Sequence, residues 1–165
     1  MKSINKKIGL LAVMLVVMSG CSMNKEKIVG KDIKVEDVTE FYYTNSKTTN
    51  PPRFQRYYFH VEDGKYWFTH EKREGERVFL TEADITDTGT LELSEEEWNV
   101  FFDYLKDGRV TKRGEGDVTS GASVDLYLYW NGDKEVYQVF SFEPSGKRKG
   151  FEDWCLELKK REMSE

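Results

Sequence analysis

Asp63-Gly64 constrains the fold of this chain more than any other feature. A two-residue type I′ turn needs positive φ at both central positions, and Asp-Gly between two aromatic-rich runs meets that need at low cost. With Gln55–Glu62 and Lys65–Glu71 as the arms of a hairpin, Val61 pairs with Tyr66, His60 with Trp67, Phe59 with Phe68 and Tyr57 with His70. Side chains alternate along a strand. One face therefore carries Tyr57, Phe59, Val61, Tyr66, Phe68 and His70, the expected core, and the other carries Tyr58, His60, Glu62, Lys65, Trp67 and Thr69. The only histidines, His60 and His70, fall on opposite faces, which argues against a shared metal site.

Two helices follow from period and capping. Ser94 can cap the free N–H groups of a helix while Glu97 reaches back to it, and Trp98, Phe101, Phe102 and Leu105 recur at one-face spacing. Gly108 suits the left-handed residue that ends such a helix. A second helix spans about Lys147 to Glu162, with Phe151, Trp154, Cys155 and Leu158 on one stripe. Cys155 reads there as a small buried hydrophobe with a raised pKa rather than a reactive thiol. Glu95-Glu96-Glu97 and the basic groups of the last helical turn are ordinary partners of the helix dipole. A second hairpin is expected from Val124 to Phe142 around Asn131-Gly132, with both faces apolar and the register open, and shorter strands at Thr39–Ser46, Arg77–Leu80, Thr88–Leu93 and Arg109–Arg113. The expected fold class is α+β: an antiparallel, hairpin-rich sheet of about five to seven strands packed against two helices.

The 165 residues are enough for one domain, and 38% hydrophobic content excludes a disordered tail. At the N-terminus Lys2, Lys6 and Lys7 precede an apolar run of 11 residues, Ile8 to Met18. That run is about half the ~20 residues a helix needs to cross a bilayer, so it reads as an export signal. Removing residues 1–20 takes away three lysines and no acid, leaving 22 basic and 30 acidic side chains, a formal charge of −8. Nucleic acid is a poor partner for such a chain, because phosphate neutralisation needs a basic face. Residues 21–35 are polar and read as a tether, and residues 36–165 as a single domain.

No catalytic constellation is present: there is no nucleophile elbow, no His-Glu-x-x-His, no phosphate-binding Gly-rich loop and no dinucleotide fingerprint. No cofactor or metal is expected. The candidate ligand-binding residues are Tyr58, His60 and Trp67 on the outer hairpin face, where aromatic groups flanked by polar ones can stack on sugar rings or anchor a peptide or protein. The Thr44–Arg53 segment, with Pro51-Pro52, reads as a stiffened loop beside them, and Arg53 and Arg56 add hydrogen-bond donors.

Met18-Ser19-Gly20-Cys21 resembles the bacterial lipobox, an apolar residue and two small ones before the cysteine that is lipidated; Met18 departs from the commoner Leu. The order of elements resembles that of small lipoproteins of Gram-positive bacteria. The likeness rests on the lipobox, Val38-Thr39-Glu40-Phe41-Tyr42-Tyr43, Leu93-Ser94-Glu95-Glu96-Glu97-Trp98 and Leu126-Tyr127-Leu128-Tyr129-Trp130. It implies cleavage before Cys21, acyl chains on that residue, attachment to the membrane and an extracytoplasmic location, and it brings no activity with it. The expected function is a non-catalytic binding domain for an envelope glycan, peptide or protein. Two alternatives stay open: an accessory subunit of a membrane complex, and a hydrolase of unknown substrate.

Overall fold

Asp63 and Gly64 both sit at positive φ, 51° and 74°. The hairpin they close keeps the register that alternation predicts, with His60 opposite Trp67 and Tyr57 opposite His70. The structure, a computed structural model, describes residues 26–48, 51–77, 79–112, 122–131 and 138–164. Along the chain these form β1 (Lys27–Ile28), β2 (Val38–Lys47), β3 (Arg53–Glu62), β4 (Lys65–Glu74), β5 (Ile85–Leu93), α1 (Glu95–Leu105), β6 (Arg109–Lys112), β7 (Ala122–Trp130), β8 (Gln138–Ser141) and α2 (Lys147–Glu162). The strands make one antiparallel sheet in the order β1-β6-β8-β7-β2-β3-β4-β5. The fold class is α+β, as the patterning predicts.

Both helices pack on one face of this sheet. Phe41, Tyr43, Tyr57, Phe59, Phe68, Leu91, Leu128 and Phe140 project from the strands into the core, where they meet Trp98, Phe101 and Leu105 of α1 and Phe151, Cys155 and Leu158 of α2. Phe59 stacks on Phe101 with ring centroids 4.3 Å apart, and lies 5.7 Å from both Phe151 and Trp154. Helix α1 starts with the reciprocal Ser94/Glu97 capping box. Its far end is closed from another element, Lys147 Nζ donating to the Lys106 carbonyl at 2.7 Å. The last turns of α2 are clamped to the sheet and to α1 by Lys159 on Asp87, Arg161 on Glu97 and Glu162 on the fully buried His70. Burial pushes the Cys155 thiol up, and Cys155 is free.

Several expectations are corrected. The sheet has eight strands rather than five to seven, because part of the expected tether belongs to it. Lys27–Ile28 pairs with β6, while Val29 and Ile33 are fully buried, so the domain starts well before residue 36. Ile28, Val29, Ile33 and Val35, scattered through a polar run, carry too little periodicity to reveal this. Half of Thr44–Arg53 is strand: Thr44 to Lys47 end β2 and pair with Arg56 to Arg53, so Thr44, Asn45 and Ser46 are ladder positions and not loop. Arg77–Leu80 is not a strand; Arg77 bonds Asp84, Phe79 is exposed, and the turn built by Thr81 and Asp84 launches β5 at Ile85. Val61, at the hairpin tip, is exposed rather than core. The register left open for the second hairpin is fixed by Tyr127 opposite Val139. The left-handed residue after α1 is Asp107, at φ 68°, and not Gly108. Gly108 is needed for space, since a Cβ there would lie 2.3 Å from the Phe140 ring.

Gly108→Ala is expected to cost about 1–3 kcal/mol, because Phe140 is locked against Phe41 and Phe142 and cannot withdraw without strain. A fall in the urea midpoint at unchanged slope checks this.

Candidate functional site

The face opposite the helices is built by alternation from β7, β2, β3, β4 and β5. Register aligns its residues in rows across the strands. Tyr127, Tyr42, Tyr58, Thr69 and Thr90 form one row, Asp125, Thr44, Arg56, Glu71 and Thr88 the next. Toward one end lie His60, Trp67 and Glu92, and toward the other Ser123, Ser46, Phe54 and Arg73. The described helices both lie on the other side, so among the described residues no helix covers this face, and its aromatic side chains are half-buried.

Three rings form a continuous stack, Tyr42 on Tyr58 and Tyr58 on His60, each pair with centroids 4.4 Å apart. Glu40 accepts from both phenols, Tyr42 at 2.6 Å and Tyr58 at 2.9 Å. Burial, together with the Glu40 carboxylate, pushes both hydroxyls above their ordinary value, so they stay protonated donors at neutral pH. Burial holds the His60 imidazole down, against the opposite pull of Glu62 and Glu40. Its Nδ1 is buried without a hydrogen-bond partner. Trp67 is stacked on no other ring; the Lys65 ammonium, bonded to Glu92 at 2.8 Å, lies 5.8 Å from its centroid.

Arg56 is the charged group of the face that no carboxylate compensates among the described residues. Its guanidinium lies 4.9 Å from the Phe54 ring and 5.8 Å from that of Tyr42, and its Nε is buried with no hydrogen-bond partner. The carboxylate directly across the ladder, Glu71, is taken by Arg73 at 2.5 Å. Arg56 thus makes no ion pair among the described residues.

Of the residues singled out from sequence, Tyr58, His60, Trp67 and Arg56 share this face, and Arg53 does not. Arg53 alternates with Phe54 and Arg56, so it projects to the helix side at the end of β3, where it is exposed. Sequence reasoning missed Glu40, Tyr42, Phe54, Tyr127 and Tyr129 as members of the face. The pairing of β2 with both β3 and β7 brings them in, and only the alternation of Tyr42 and Thr44 with Phe41 and Tyr43 hinted at it. Cys21 and the segment expected to be an export signal lie outside the described residues. No helix among the described residues is long and apolar enough to cross a membrane, and no three of their His, Cys, Asp or Glu side chains converge as metal ligands. Comparison with family models, curated proteins and solved structures finds no match.

Because the folded pKa of His60 lies below its unfolded value of about 6.5, the unfolded chain binds more protons in the interval between them. Stability is therefore expected to fall as pH drops through that interval. Urea midpoints should decline more for the parent than for His60→Gln between about pH 7.5 and pH 5. Equal declines would remove His60 as the cause.

Proposed function

We propose that this protein is a membrane-anchored, extracytoplasmic lipoprotein whose domain binds an envelope glycan, peptide or protein through the open sheet face, without catalysing a reaction. The anchor is Cys21 of the Met18-Ser19-Gly20-Cys21 sequence, and two or three acyl chains there hold a chain at a membrane without a protein span. Lys27, the first residue of β1, follows within six residues, a reach of at most about 20 Å when fully extended. The domain then works close to the lipid surface.

The observation that carries the binding reading is Arg56. A half-buried guanidinium without a carboxylate partner is costly in an isolated domain, where an unmade charged hydrogen bond leaves a desolvation penalty. It is well suited to a partner that brings an acidic or carbonyl oxygen to the face. Trp67, which stacks on no other ring among the described residues, supplies a neighbouring apolar contact of the kind that dominates recognition surfaces.

The test is capture from envelope extracts with the full-length protein in mild detergent, beside Arg56→Gln/Trp67→Ala. The double substitution is expected to abolish retention of a component the parent holds, with circular dichroism unchanged. Cys21→Ser in the same cells should move the protein from the membrane fraction to the soluble one. Equal retention by parent and double variant would sink the open-face reading and favour an accessory subunit that meets its complex through another surface.

A further inference from the structure

Arg53, separated from the open face by alternation, belongs to a second arrangement. Directly across the β2–β3 ladder from it stands Lys47, so two cations face each other as a cross-strand pair at the end of the sheet. Like charges in directly opposed positions destabilise a strand pair. Neither side chain makes an ion pair among the described residues, and the acid on the other flank of Arg53, Glu74, is bonded to Lys72 at 2.9 Å. Lys47, Arg53 and Lys72 thus share the single Glu74 carboxylate, which offsets the repulsion only in part and leaves this end of the sheet with an excess of positive charge.

These same residues line a concavity. Lys47, Pro51, Pro52, Arg53, Glu74 and Gly75 surround a cleft of about 330 Å³. Pro52 is buried, and the fixed φ of Pro51-Pro52 makes one wall stiff. A rigid wall, two cations held together by strand register with no ion pair among the described residues, a Glu74 carboxylate already engaged by Lys72, and room for a small group make an anion site. An Arg offers a planar fork of donors and a Lys a mobile point charge, a pairing suited to the several oxygens and the one to two negative charges of a phosphate group. A single carboxylate would leave one of the two cations unbalanced.

We propose that the Lys47–Arg53 cleft binds a phosphate group. It lies on the side of the sheet opposite Arg56 and Trp67, and its loss leaves capture through the open face intact. The phosphate comes either from a solute or from a lipid headgroup, and the experiment separates the two.

Full-length protein in uncharged detergent micelles is unfolded thermally in phosphate-free buffer, then with inorganic phosphate, and then in micelles doped with phosphatidylglycerol. Lys47→Glu is the informative variant, because it puts a carboxylate opposite Arg53 and relieves the repulsion. It is expected to unfold at no lower temperature than the parent when no phosphate is present. Phosphate should raise the parent's midpoint in a saturable way, with affinity weakened at least about tenfold in Lys47→Glu, as for loss of a charge-assisted contact. Arg53→Gln should behave alike towards phosphate. A rise with inorganic phosphate assigns the site to a solute. A rise only with phosphatidylglycerol, abolished by Lys47→Glu, assigns it to a headgroup. No rise in either arm, or an equal rise in Lys47→Glu, overturns the proposal.

Discussion

Phe59 occupies the middle of the sheet and touches both helices, stacked on Phe101 of α1 and close to Phe151 and Trp154 of α2. With Phe68 5.0 Å away on the adjoining strand, it links sheet and helices in one aromatic cluster. Large aromatic side chains each bury roughly 150–250 Å², and the apolar driving force scales with that area. The packing is one-sided. The fully buried aromatic side chains of the sheet lie beneath the two helices, and the clamps on α2, with Lys159, Arg161 and Glu162 as their donors and acceptors, keep that cover in place.

This one-sidedness frees the other face from core packing. The residues there satisfy one another laterally: rings on rings, phenols on Glu40, Arg73 on Glu71 and Lys65 on Glu92. Most polar groups of the face find their partners within it, and no described helix covers it. Arg56 Nε and His60 Nδ1 are exceptions to lateral satisfaction, and Arg56, as the charged one, is where a partner would add most. The same strand register that aligns the open face also opposes Lys47 and Arg53 on the other side. Pairing chosen for the core therefore imposes a charge conflict at the sheet end, and an anion resolves it.

What could be read from the sequence was local. The Asp63-Gly64 turn, the Ser94/Glu97 box and the Phe151/Cys155/Leu158 stripe depend on neighbours within a few residues, and each forms as its chemistry dictates. Pairings between distant segments were not legible. Nothing in Phe41-Tyr42-Tyr43 announces that it will lie between β3 and β7, and Lys27–Ile28 is too short for any period to mark it. Four of the candidate binding residues share a face because alternation alone placed them. Arg53 was grouped with Arg56 by nearness along the chain, although an odd separation in a strand puts two side chains on opposite sides.

The central claim is that stability resides in the helix-covered face and that the open face is spare. Urea unfolding of Phe59→Ala beside Arg56→Gln/Trp67→Ala tests it directly. Losing the Phe59 ring should cost about 3–5 kcal/mol through the cavity it leaves. The open-face pair should stay within about 1 kcal/mol of the parent, with one cooperative transition. A loss from the open-face pair as large as that from Phe59→Ala would show that both faces carry the fold, and would contradict the account.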